Sequence, residues 1–323
     1  MKQPAFKRFF TSLCLCPCVA TLSLSPARGQ VSDFDHLEKA AEAGDSQAQL
    51  KLAMDYNAGL GVKQDHSKAA EWYLKAARQG NPYAENNLGG LYNRGEGVPL
   101  DHAEAVKWFR KAAGQGDQLG EKNLGKMLAA GCGAPRDIKE ALEWFKKASA
   151  LGDLEATSEV GIIYSTPGSG MPLDFQAAVK WLSKASAMGS IPAEARLARL
   201  YYHGFGVARD PAQAAYWWQK AAECGDSESQ MEIGMLYALG HGVPKSLAQG
   251  YMWVSLSAAQ GNIIGQHRLA VVKSVMSADD LKEGQELLAE YHIRHATPHA
   301  SPSPAPALSG TGAASQGKAC GTL

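Results

Sequence analysis

Catalytic signatures are what this sequence most lacks. It has no His-Glu-x-x-His, no phosphate-binding loop and no Gly-x-Ser-x-Gly, and its one Ser-x-x-Lys, Ser315 to Lys318, lies in a tail with no scaffold to present it. Cysteine is scarce: of six, Cys14, Cys16 and Cys18 fall in the first 29 residues, and Cys132, Cys224 and Cys320 form an odd set without metal-ligand spacing. Charge of one sign is missing too. With 32 basic against 32 acidic side chains and no basic run longer than two, there is no electrostatic footprint for nucleic acid. Beyond residue 24 no apolar run is long enough to span a bilayer. Composition, at 45% apolar and 20% charged, is that of a folded chain with a large core.

What is present is repetition. A Trp recurs as Trp72, Trp108, Trp144, Trp181, Trp217 and Trp253, at intervals of 36, 36, 37, 36 and 36 residues. A fixed period near 36 holding two helical patterns predicts a helical solenoid. Counting offsets from the leading glycine of each unit (Gly44, Gly80, Gly116, Gly152, Gly189, Gly225), an N-cap residue follows at once: Asp45, Asn81, Asp117, Asp153, Ser190 or Asp226. In unit two the first helix carries Ala84, Leu88, Leu91 and Tyr92 on one face, with Gly89 where two backbones can approach. A Gly-x-Gly turn ends it, Asp101 offers the next N-cap, and Ala105, Trp108, Phe109, Ala112 and Ala113 stripe the second helix. This places both the Trp and the aromatic after it, Trp218 included, in the core. Unit four departs by one extra turn residue (Thr166 to Gly170), and unit six by Gly250 and Leu256.

The unit A-x-x-x-L-G-x-x-Y, G-x-G-V, D-x-x-x-A-x-x-W-[FY]-x-K-A-A, complete in Ala84 to Ala113, resembles the Sel-one-like repeat family of tetratricopeptide-like α-solenoids. The resemblance covers residues 44–260. It implies an all-α, right-handed α-solenoid of about six stacked helical hairpins with terminal capping helices, some fifteen helices altogether, and a non-enzymatic scaffold holding a protein or peptide partner in its concave groove. Secreted relatives with a disulfide in nearly every repeat, and a link to β-lactam binding or hydrolysis, supply a rival reading as a β-lactamase or penicillin-binding-like enzyme. Another rival is a cell-envelope adaptor using the convex face or the tail. Cys132 and Cys224 should lie at opposite edges of such an array and not pair, so stability is expected from packing alone.

Taken in order, residues 1–29 read as a secretory signal, with Lys2, Lys7 and Arg8 before an apolar stretch from Phe9 to Leu24 and a small-x-small site at Ala27 to Gly29. A periplasmic or secreted location is expected. The alternative is a membrane anchor through an uncleaved signal or a lipidated Cys18, although Leu15-Cys16-Pro17 is a poor match to a lipobox. Residues 30–43 repeat the end of a second helix and cap the array. Residues 261–294 are read as the C-terminal capping helices, the last opening at a capping box from Ser277 to Asp280. Residues 295–323 are a Pro/Ser/Ala/Gly-rich tail expected to be disordered.

No catalytic, cofactor or metal residue is nominated. His292, His295 and His299 cluster without a completing Cys or carboxylate. If first helices line the concave face, the variable offsets 3, 6, 10, 13 and 14 point into the groove and give Tyr83, Asn86, Asn93, Arg94, Lys122, Lys126, Arg199, Tyr202 and His203. These suggest a basic, Asn-bearing stretch suited to a carboxylate or an extended peptide backbone.

Overall fold

The computed structural model describes residues 28–295, with side chains from Phe34 onward. The segments read as signal and tail lie almost wholly outside the described residues. α1 (Arg28–Glu42) leads into six hairpins: α2 (Ser46–Ala58) with α3 (His66–Arg78), α4 (Pro82–Arg94) with α5 (His102–Gly114), α6 (Gln118–Ala130) with α7 (Ile138–Ala150), α8 (Leu154–Ser165) with α9 (Phe175–Ala187), α10 (Ile191–His203) with α11 (Pro211–Glu223), and α12 (Ser227–Leu239) with α13 (Leu247–Ala259). α14 (Ile263–Val275) and α15 (Ala278–His295) close the array. The protein is an all-α solenoid.

Local chemistry explains why the helices start and stop where they do. Every helix from α2 to α14 opens on an Asp, Asn or Ser side chain that accepts a backbone N–H of the first turn, as Asp117 does from Gly120 at 2.7 Å. Each such cap stabilises by about 1 kcal/mol. Five first helices end on a left-handed glycine, whereas α8 ends at extended Thr166, whose hydroxyl donates to the Ile162 carbonyl at 2.7 Å. The extra residue of unit four is absorbed there. At the far end the capping box closes reciprocally. Asp280 N–H donates to Ser277 Oγ at 3.1 Å, and Ser277 N–H donates to the Asp280 carboxylate at 2.9 Å.

Packing corrects the expectation about the Trp stripe. The core residue is the one after it: Tyr73, Phe109, Phe145, Leu182, Trp218 and Val254 are all buried. Gly125 lies so close to the Phe145 ring that a Cβ there would sit 2.8 Å from it. Of the recurring Trp only Trp108 and Trp253 are buried; Trp72, Trp144, Trp181 and Trp217 are half-buried at the edge of the core. The lysine three residues on lies over the ring, at 3.5 Å for Lys75 on Trp72 and 3.8 Å for Lys147 on Trp144. One helical step of 100° separates the two offsets, so a large ring at each can be core and shoulder respectively.

Cys224 carries a free, exposed thiol. Cys132 is fully buried in the α6–α7 turn.

Candidate partner-binding groove

The inner face of the array can be read from which like helices touch. First helices of consecutive units meet at α4 with α6, α8 with α10 and α12 with α14, whereas the remaining first-helix pairs and all second-helix pairs, the terminal α13 and α15 apart, come no nearer than occasional contacts. A stack whose members crowd on one side curves toward that side, so the first helices line the concave face.

Of the nine nominated residues, Asn93, Arg94 and Lys126 come together. They line a small cleft of about 60 Å³ between α4 and α6, with Gly90, Phe109, Asn123 and Met127. Asn93 Oδ1 lies 2.9 Å from His102 Nδ1, and Arg94 Nε donates to Glu96 at 2.8 Å. Tyr83 is exposed, whereas Asn86 is buried and accepts from Asn123 Nδ2 at 2.8 Å, which makes it a strut between α4 and α6. Tyr202 leans on Trp218 with ring centres 5.5 Å apart, and His203 stacks on Phe205 at 5.4 Å. These two face the turn at the end of α10.

The lysines and Arg199 are not free cations. Lys122 Nζ sits 3.1 Å from Asp153 and 3.2 Å from Glu155, Lys126 Nζ 2.9 Å from Glu155, and Arg199 2.7 Å from Glu228. Burial pulls the Lys122 ammonium down, but Asp153 and Glu155 outweigh it and raise the pKa. Burial likewise pushes Glu155 up, and Lys126 with Lys122 brings it below its ordinary value.

The face is therefore not the basic stretch the sequence suggested. It carries bands of alternating sign, with Lys122 and Lys126 on α6, Glu155 and Glu159 on α8, Arg196 and Arg199 on α10, and Glu228 and Glu232 on α12. Glu159, Arg196 and Glu232 occupy offset 7, which a reading of offsets 3, 6, 10, 13 and 14 steps over. Each is half-buried, and none makes a hydrogen bond or an ion pair within 4 Å among the described residues. Burial raises the carboxyls of Glu159 and Glu232 above the ordinary range and lowers Arg196, with the like charge of Arg199 adding to the last.

Lys184 Nζ approaches Ser149 Oγ at 3.1 Å, a pairing that superficially fits a serine–lysine dyad, but Ser149 is buried and its hydroxyl is tied to Thr157 at 2.6 Å. Among the described residues no group of three His, Cys, Asp or Glu side chains could hold a metal, and no helix is long and apolar enough to cross a membrane. His292 and His295 lie on α15, with His295 stacked on Tyr291 at 4.0 Å; His299 is outside the described residues.

Stacked antiparallel hairpins with a side-chain-variable inner face define a repeat scaffold of the interaction type. The chain belongs to the Sel1 repeat family. The Sel1 repeat model matches residues 34–45, 46–81, 82–117, 120–153, 154–190, 191–226 and 227–262. The chain is similar to a Sel1 repeat protein from Oxalobacter formigenes whose crystal structure is 29% identical, with a TM-score of 0.62, covering 71% of this chain and 99% of that one. It is also similar to c5321, a protective antigen of uropathogenic Escherichia coli strains with an SLR fold, at 26% identity and a TM-score of 0.37, covering 83% of this chain and 73% of that one. A cysteine-rich protein B of Helicobacter pylori matches at 25% identity and a TM-score of 0.33 over 40% of this chain and 92% of that one. No curated protein matches the sequence. Members of the family generally act as non-enzymatic scaffolds for protein partners.

Proposed function

We propose that this protein is an exported, non-enzymatic scaffold that holds a protein or peptide partner along the groove lined by its first helices. The observation that supports this reading is the contrast between the faces of one helix. In α8, the core-facing Ala156, Val160 and Ile163 are wholly or nearly wholly buried, while Glu159 on the inner face keeps a half-buried charge without an ion-pair partner. Removing part of the water from a charge costs free energy that the attraction of Lys126 and Arg196 returns only in part, and a partner laid along the groove would return more. Export rests on the sequence of residues 1–29, with an anchored or lipidated form as the rival.

Crosslinking in the native compartment, from a photoreactive residue at position 126 and from one on the outer face at position 107, tests the groove. Capture of one discrete partner from position 126 and not from 107 is the expected result. Capture only from 107, or turnover of a chromogenic β-lactam by the purified chain, would overturn it. Fractionation with the mass of the mature N-terminus tests export separately.

A further inference from the structure

The sign alternation along the groove implies more than that something binds there. If the first-helix groove is the partner site, as proposed above, its chemistry also limits the partner's sequence. The general spacing of packed helices, about 10 Å, is taken as the step between successive first helices, of which α8 and α10 pack directly. An extended chain rises about 3.3 Å per residue, so one step of the groove corresponds to three residues of a bound strand.

Two boundaries between bands are already closed within the chain, by Lys126 with Glu155 and by Arg199 with Glu228. Among the described residues, one charge on each of three consecutive first helices is left without an ion pair within 4 Å: Glu159 on α8 and Arg196 on α10, which attract one another only at longer range, and Glu232 on α12. We infer that the groove recognises an extended segment of alternating charge, with a cationic side chain opposite Glu159, an anionic one three residues on opposite Arg196, and a second cation three residues further opposite Glu232. The pattern base-x-x-acid-x-x-base is symmetrical, so either chain direction satisfies it. A uniformly acidic or uniformly basic segment would meet a like charge at one or more of the three positions, a juxtaposition that discriminates by repulsion as well as by lost attraction. The groove therefore prefers a polyampholyte over the acidic partner that a basic groove would have taken.

Three labelled heptapeptides test this against the full chain by fluorescence polarisation at low ionic strength. They are Lys-Ser-Gly-Glu-Ser-Gly-Lys, its charge inverse Glu-Ser-Gly-Lys-Ser-Gly-Glu, and the scramble Lys-Lys-Ser-Gly-Ser-Gly-Glu. The first should bind at least about tenfold more tightly than the other two, the equivalent of one well-placed charge contact. The triple reversal Glu159→Arg, Arg196→Glu, Glu232→Arg should transfer the preference to the inverse peptide. Should that variant not fold, Arg196→Gln, which removes only the central charge, should reduce discrimination between the first peptide and the scramble by more than half. Equal binding of the first peptide and the scramble, or an unchanged preference in the folded variants, overturns the pattern. The groove itself is judged apart, by whether the partner crosslinked from position 126 is lost on the same variants.

Discussion

The side-chain amide of Gln115, just past the end of α5, donates to the buried carboxylate of Glu85 on α4 at 2.7 Å, and so bolts the two helices of one hairpin together at their open end. The same strut recurs at the same offsets as Gln79 to Gln49 at 2.7 Å and Gln260 to Gln230 at 2.8 Å. In unit three the acceptor is present as Glu121, but the donor position holds Leu151, which is 54% exposed. Glu121 Oε2 is left buried without a hydrogen-bond partner.

Leu151→Gln should therefore supply the missing donor and stabilise the chain by about 0.5–1.5 kcal/mol, the usual net gain of one intramolecular hydrogen bond. Urea denaturation of the variant and parent checks it. Glu121→Gln adds a sign test in pH. Burial raises the Glu121 carboxyl above its ordinary 4.5, with Asp117 adding and Lys147 opposing, so the native state favours the protonated form. Its stability is retained below about pH 4.5 and lost as pH rises through the raised native value. The variant cannot ionise. It should match the parent near pH 4 and exceed it in stability at pH 7, and a difference that shrinks toward pH 7 would contradict the assignment.

The second prediction separates the two neighbouring rings of α7. Phe145 is 1% exposed, whereas Trp144 is half-buried, with its indole N–H donating to Glu140 at 3.2 Å. Phe145→Ala should cost about 3–5 kcal/mol. Trp144→Ala should cost less than half as much, since its ring lies at the edge of the core, partly exposed and covered by Lys147. Reversible denaturation of both variants decides the order.

That pair also marks where the sequence was legible and where it was not. The period, the glycine turns and the caps act within a few residues of themselves, so the hairpins could be read directly. Core against shoulder at Phe145 and Trp144 could not, because both rings repeat with the same period and differ by one helical step. Nor could the groove. Lys126 looks like an available cation until α8 is placed beside α6 and Glu155, 29 residues away in the chain, comes within 2.9 Å. Which variable side chains face one another depends on how one hairpin sits on the next.

The third prediction concerns the C-terminal cap. Tyr291 of α15 meets Trp253 of α13 edge-on with ring centres 5.6 Å apart, and α15 covers the last second helix. A chain ending at residue 276 should expose Trp253, Met252 and Tyr251, and shift tryptophan emission to the red. It should also aggregate at concentrations where the parent is monodisperse, as an uncapped solenoid end does. Unchanged emission and solubility would mean that α15 is dispensable decoration.

The last prediction is about the cleft between α4 and α6. Arg94 and Lys126 both line it, and each spends one contact on a neighbouring carboxylate, Glu96 at 2.8 Å and Glu155 at 2.9 Å. Exposed pairs of this kind contribute at most about 1 kcal/mol, so Arg94→Ala with Lys126→Ala should leave thermal stability nearly intact. Binding is another matter, because a partner drawn in by these groups loses them both. The control is Lys107→Ala with Arg110→Ala on the outer side of α5, whose side chains pair with Glu104 at 2.7 Å and with Glu140. The two double variants remove the same charge and similar ion pairs, and differ only in the face they alter. Calorimetric titration of the crosslinked partner should show an affinity loss of tenfold or more for the cleft variant and little for the control. The loss should narrow between 0.1 M and 1 M salt as the screening length falls from about 10 Å to about 3 Å. An equal loss in both variants would assign the effect to net charge, and no loss in either would move the partner off this cleft.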